Sequence, residues 1–288
     1  MIRHYPNNYT LNCNGRLLEL DTPKVMGILN VTPDSFYAGS RRQTEADIAQ
    51  RTVEIGEQGG HIIDIGAYST RPGADEVTPE EELRRLRFAL EIVRREAPEA
   101  IVSVDTFRAD VACACVEEFG VDIVNDISGG DLDADMFPTV ARLGVPYILM
   151  HIQGEPRTMQ QAPAYGNVER EVFQYLAERL SRLRSLGAKD IILDPGFGFG
   201  KTLVHNYTLM AALEDFHQFS VPLLVGISRK SMIYKLLGGT PADALNGTTA
   251  LNMTALLKGA HILRVHDVKA AVEAVRIYGA LAQAPDGR

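Results

Sequence analysis

The chain is 288 residues long and 45% hydrophobic, with 29 Lys+Arg against 37 Asp+Glu and a formal net charge of −8. That content supports one large domain or two small ones, excludes a disordered chain, and speaks against nucleic acid or an anionic membrane surface as the main partner. Cys13, Cys113 and Cys115 form no CxxC pair, MIRHYPNNYTLNCNG carries no apolar leader, and no apolar run approaches the roughly 18 residues of a bilayer span. Neither a disulfide framework, a zinc cluster nor a membrane anchor is therefore expected, and the expected location is cytoplasmic.

The first 20 or so residues read as a β-hairpin, with Asn14-Gly15 as the tight turn between TLNC and RLLEL. From there, short apolar runs alternate with longer segments of helical period. The runs begin near Val25, Ile62, Ile101, Asp122, Pro146, Asp190, Pro222 and His261. Each is continuously apolar, the pattern of a strand covered on both faces. Between them, Thr78-Pro79-Glu80-Glu81 opens a helix as a capping motif, and Leu83, Leu86, Leu90 and Val93 continue it as one stripe. Val168, Val172, Leu176, Leu180 and Leu183 form a second stripe, with Gly187 placed for a left-handed cap. A doubly wound sheet is conceivable, but strand then helix, eight times over, has the size of a closed (β/α)8 TIM barrel of ~250 residues. No linker divides the chain, so residues 1–288 are expected to form a single α/β domain, the hairpin of residues 1–20 closing the barrel's bottom.

Such barrels carry their chemistry where the strands end in loops. Asn30 follows the first run, and Asp64-Ile65-Gly66 closes the second, ahead of Thr70-Arg71-Pro72-Gly73. Asp105-Thr106, Asn125-Asp126, Met150-His151 and Asp194 close the next four, and Ser228-Arg229-Lys230 and Arg264-Val265-His266-Asp267 the last two. Helix capping accounts for Thr106 and Asp267, but not for Asn30, Asp105, Asn125 or Asp194 at the ends of apolar strands. Arg71, Lys230, Arg264 and His266 would repel one another unless an anion such as phosphate or pyrophosphate joined them. Asp105, Asn125 and Asp194 suit the edge of a planar heterocycle with several N–H donors. Gly196 to Thr202 is no phosphate-binding motif, because Pro195 and Lys201 stand where glycines are required; it reads as a flexible loop able to approach a ligand. His151 reads as hydrogen-bonded structure rather than a metal ligand. His61 and His261 belong to the opposite, stability face, and Tyr207, Met210 and Leu213 to the core.

GILNVTPDSF, STRPG, Asp105-Thr106, NDISGG, MHIQGEPRTMQ, DPGFGFGK, SRKSMI and RVHD, in this order from about residue 22 to 280, resemble the dihydropteroate synthase family of the folate pathway. The resemblance implies a transferase that condenses a pterin pyrophosphate with 4-aminobenzoate and releases pyrophosphate through a pterin-stabilised cation. It implies that Asp105, Asn125, Asp194 and Lys230 bind the pterin between Ile127, Met150 and Gly226. Asn30, Thr70, Arg71, Arg264 and His266 match the pyrophosphate positions, with Mg²⁺ on Asn30. Pro72, Phe199, Lys230 and Ser231 match the aminobenzoate pocket, and Asp105, Lys230, Arg264 and His266 carry the catalysis. A homodimer is implied at the helix 242–258, rich in small residues (Ala244, Gly247, Ala250, Ala255). Tyr68 before STRPG and YAGSRRQ after DSF, with Arg41-Arg42, depart from the family's usual residues. Two rivals share the pterin slot: a methyltetrahydrofolate-dependent corrinoid methyltransferase, which needs no pyrophosphate clamp, and a non-catalytic pterin-binding paralogue.

Overall fold

A computed structural model describes residues 8–31, 41–68, 77–155, 158–159 and 161–284, with the backbone alone at 41–43. The hairpin pairs β1 (Thr10–Cys13) with β2 (Arg16–Glu19). Its turn needs two residues of positive φ, which Asn14 (51°) and Gly15 (88°) supply, and the Asn12 side chain accepts the Gly15 N–H at 2.8 Å.

Eight parallel strands follow: β3 (Lys24–Asn30), β4 (Ile62–Gly66), β5 (Ile101–Asp105), β6 (Ile123–Asp126), β7 (Tyr147–Met150), β8 (Ile191–Asp194), β9 (Leu224–Val225) and β10 (Ile262–Val265). They pair in the order β8-β7-β6-β5-β4-β3-β10-β9, and a parallel bridge between Leu193 and Leu223 joins β8 to the run entering β9, closing the ring. The helices between them are α1 (Arg41–Glu57), α2 (Pro79–Glu96), α3 (Ala109–Phe119), α4 (Met136–Leu143), α5 (Val168–Ser185), α6 (Leu203–Ala211), α7 (Ser231–Leu237), α8 (Leu245–Leu257) and α9 (Val268–Gln283). Thr78 caps α2, its hydroxyl accepting the Glu81 N–H at 3.3 Å, and Gly187 takes φ +93° just past α5. Both predicted stripes face the strands: Leu86, Leu90 and Val93 are buried on α2 with Leu83 half-buried at the edge, and Val168, Val172, Leu176, Leu180 and Leu183 are buried on α5.

Because side chains alternate across a strand, each barrel strand points every second residue inward. The lowest inward layer is apolar. Met26, Ile62, Ile123, Ile148, Ile192, Leu224 and Ile262 pack with Leu11, Cys13, Leu18 and Leu20 of the hairpin, and Ile101 joins them at the edge. The hairpin thus plugs the bottom of the barrel, as expected for residues 1–20. Two residues further along each strand stand Ile28, Asp64, Ser103, Asn125, Met150, Asp194, Gly226 and Arg264, and two further again Asn30, Gly66, Asp105, Ile127, Ile152, Gly196, Ser228 and His266. The barrel is therefore dry at one end and polar at the other.

The predicted helix 242–258 is divided into a 3-10 turn (Pro241–Ala244) and α8. Its small residues largely serve packing within the chain: Ala244 and Ala255 are buried, and Gly247 faces Ile233 of α7 too closely to admit a Cβ. Small size at Gly247 is a requirement of the α7–α8 contact. Among the described residues no helix is long and apolar enough to cross a membrane.

Candidate active site

The two upper layers enclose a cavity of about 310 Å³ at the C-terminal ends of the strands. Asn30, Asp105, Asn125, Ile127, Met150, Asp194, Phe199, Gly226, Lys230, Arg264 and His266, all expected at the site, line it together. Ser231 lies next to this wall, as the first residue of α7. Thr70, Arg71 and Pro72 lie outside the described residues, as do residues 37–40 of the first loop and the side chains of Arg41 and Arg42. Tyr68 also lines the cavity, edge-on to Phe107 at 5.2 Å between ring centroids.

At the centre is a charge arrangement that changes one expectation. Arg264 donates from Nε to Asp64 and from Nη2 to Asp105, each at 2.6 Å. Asn125 donates its amide to the same Asp64 carboxylate at 3.2 Å. Strand-end cations considered along the chain call for an external anion, but for Arg264 two carboxylates of the chain itself supply the compensation. Asp64, which the sequence places at the end of the second strand without a role, is completely buried beneath the cavity floor. Strand parity finds it, since it lies midway between inward-facing Ile62 and Gly66.

The titratable groups are displaced accordingly. Burial raises the Asp105 carboxyl to about 7, with Asp64 adding to the effect and Arg264 opposing it. Burial also raises Asp194, against the pull of Lys230, and the Gly196 N–H reaches its Oδ1 at 2.8 Å. Lys230 is pushed down to about 8 by burial, with Asp194 opposing. Its ammonium donates to the Phe197 carbonyl at 2.5 Å and stands 4.6 Å from the Phe199 ring centroid, a cation–π contact. His266 is set by Ser228, whose hydroxyl accepts its backbone N–H at 3.1 Å and meets Nδ1 at 3.0 Å. Arg229 joins the two final loops at φ +55°, in a two-point ion pair with Asp267 at 2.8 Å.

The Gly-rich run is not the flexible loop that its composition suggests. Gly196 (φ +70°) and Gly200 (φ +61°) press against the carbonyls of His151 and Gln153, where no Cβ would fit. Gly196 and Gly200 thus permit a close approach of backbone to backbone. His151 behaves as hydrogen-bonded structure, its Nδ1 meeting the Lys201 ammonium at 2.8 Å. His61 and His261 accept strand N–H groups at the far end, from Val25 and Leu223. A second cavity of about 270 Å³ lies at that end beside Leu20, His261 and Tyr278, but it holds no comparable convergence of charged groups among the described residues.

Comparison with known proteins agrees with this geometry. The pterin binding enzyme family matches residues 26–266. Dihydropteroate synthase of Escherichia coli K12 is 45% identical over 284 residues, covering 96% of this chain and 98% of that protein. Xanthomonas albilineans dihydropteroate synthase with 4-aminobenzoic acid superposes with a TM-score of 0.87 at 38% identity, covering 96% of this chain and 99% of the other. The same organism's enzyme in complex with 7,8-dihydropteroate gives 0.85 at 36% identity, covering 96% and 100%. With its barrel, its charged upper layers and relatives matched over almost their whole length, the chain belongs to the dihydropteroate synthase family of pterin-binding transferases.

Proposed function

We propose that the upper cavity binds 6-hydroxymethyl-7,8-dihydropterin pyrophosphate and condenses it with 4-aminobenzoate, and that the roles implied by the motifs hold residue by residue. The observation that carries this is the convergence of Asp105, Asn125 and Asp194 with Lys230 and Arg264 on one cavity. Carboxylate and amide oxygens on these strands suit the N–H donors of a pterin edge, Lys230 its carbonyl and N5, and Ile127, Met150 and Gly226 its faces. The superposed relatives, one with 4-aminobenzoic acid and one with 7,8-dihydropteroate, support the choice of substrates.

In the proposed reaction the bond from the exocyclic carbon to the pyrophosphate oxygen breaks, and the electron pair leaves with pyrophosphate. His266, with Asn30, Thr70 and Arg71, takes up the charge on the leaving group, and Arg264, whose charge Asp64 and Asp105 already compensate, adds directed hydrogen bonding rather than net positive charge. The carbon left behind is a cation conjugated with the pterin, which Asp105 stabilises. The amine of 4-aminobenzoate, placed by Pro72, Phe199, Lys230 and Ser231, attacks it and releases a proton to solvent. The nucleophile is weak, so alignment contributes more than a strong base. Asn30 fits as a Mg²⁺ ligand: it is an exposed carboxamide at the cavity rim, and the described residues hold no cluster of three His, Cys, Asp or Glu. That suits a hard cation taking most of its ligands from substrate phosphate and water. When bound, Mg²⁺ supplies further neutralisation of the departing pyrophosphate.

The test is pyrophosphate release from the pterin substrate with and without 4-aminobenzoate and Mg²⁺. Release that requires both supports the proposal, whereas pterin binding without turnover would identify a non-catalytic paralogue. Methyl transfer to a corrinoid protein would identify the methyltransferase. The same proposal places the enzyme in the cytoplasm as a homodimer. Leu236, Leu237, Leu245 and Leu257, all exposed on α7 and α8, are a better candidate contact than the small residues. A Leu237→Lys variant that still sediments as the wild type does would exclude that face.

A further inference from the structure

Lys201 is a buried amine at the end of the Gly-rich run, 3% exposed and outside the cavity wall; burial pushes its pKa well below the ordinary lysine range, with Asp194 opposing. Its ammonium has three hydrogen bonds to make, and three acceptors meet it. Gly196 O accepts at 2.8 Å, Phe199 O at 3.1 Å and the Nδ1 of His151 lies at 2.8 Å. All three acceptors are neutral, and His151 is held in its uncharged form by burial and by Lys201 itself. A buried ammonium satisfied in this way fixes the backbone around it, because losing any one bond leaves a charge undersolvated.

The segment it fixes carries three features that face the cavity. The Gly196 N–H sets the Asp194 carboxylate, the Phe197 carbonyl accepts from Lys230, and the Phe199 ring lies against the same ammonium. Gly196 is the shared joint, since its N–H holds Asp194 while its carbonyl receives both Lys201 and the Phe199 N–H. We propose that Lys201 is a positioning residue that clamps residues 196–200, so that Asp194, Phe199 and Lys230 together form one side of the pterin and aminobenzoate pockets; this rests on the function proposed above. The clamp is also electrostatic. The charges facing Asp194 are Lys230, Arg264 and Lys201, and each favours its ionised form.

The test is Lys201→Met, which keeps the aliphatic stem and removes the three donors. Binding of 7,8-dihydropteroate, followed by calorimetry, should weaken by about tenfold or more, the scale of one lost charge-assisted hydrogen bond. The acid limb of that binding should move to higher pH, because Asp194 loses one of its three supporting cations. A purely structural residue would lower the melting temperature without moving this limb. Amide exchange at Gly196 and Phe199 should accelerate beyond the global change, with no ligand present. A folded Lys201→Met protein with unchanged affinity, acid limb and local exchange overturns the proposal. If that variant does not fold, His151→Leu removes one acceptor and must show the same local loosening and weaker binding; unaltered behaviour overturns it equally. A wild-type protein that binds no dihydropteroate would count against the proposed function, and the exchange measurement would still decide the clamp.

Discussion

Asp64→Asn isolates the contribution of a group that touches no solvent and forms no part of the cavity lining. The change preserves shape and removes one negative charge from beneath Arg264. In the native arrangement Arg264 is shared between Asp64 and Asp105 at 2.6 Å each, and Asp64 also receives the Asn125 amide. The Arg264 side chain is 19% exposed and Asp64 is fully buried, so the pair is only weakly screened. Losing one charge-assisted hydrogen bond of this kind costs about 2 kcal/mol, with a further contribution from the introduced carboxamide, whose N–H groups oppose those of Asn125. Two effects follow. The melting temperature should fall by about 4–8 °C for a chain of this size. Arg264 should also lose its fixed direction, lowering kcat/KM by about 30-fold if that energy is spent in the transition state. The assay is steady-state pyrophosphate release alongside calorimetric unfolding. Activity close to that of wild type and an unmoved melting temperature would refute the view that Asp64 anchors Arg264.

Lys230→Ala and Asp194→Ala should each abolish turnover while circular dichroism stays native; near-normal rates in either would remove that residue from the site. Lys230 is pushed down to about 8, so it is charged below that pH and neutral above it. Turnover that needs the cation should therefore fall as pH rises through about 8, and Lys230→Arg should lack this alkaline limb even if its rate is low. His261 is depressed to about 4 by burial and by His217, below its unfolded value of about 6.5. Its contribution is thus complete above pH 6.5 and is lost as pH falls through about 4, by about 3 kcal/mol at most. Denaturant unfolding from about pH 7 to about pH 4 should show a shallower decline in His261→Gln than in wild type; parallel curves would exclude His261 as a source. Leu11, 1% exposed in the plug, predicts a loss of about 2–5 kcal/mol on truncation to Ala, measured by the same unfolding.

Much of this barrel is legible along the chain because its determinants are local. A strand covered on both faces must be apolar throughout, so the runs at Val25, Ile62 and their successors declare themselves, and Asn14-Gly15 declares the hairpin. Alternation along each strand then fixes which residues face inward, so Asn125, Asp194 and Arg264 fall in one layer on parity alone. Local rules do not state which inward residues meet. Arg264 and Asp105 are 159 residues apart and become partners only when β10 pairs with β3 and the ring closes. That closure turns a supposed excess of cations into a guanidinium held between two carboxylates. It also reverses the meaning of the Gly-rich run: glycine composition speaks of freedom, but His151 and Gln153 occupy the space that a Cβ would need. Sequence by itself determined the strands, the helices apart from the break between Ala244 and Leu245, the polar end of the barrel and the family. Tertiary structure alone decided that Asp64 and Lys201 support the site from beneath and behind, because burial and pairing energies depend on distances that only the closed barrel sets.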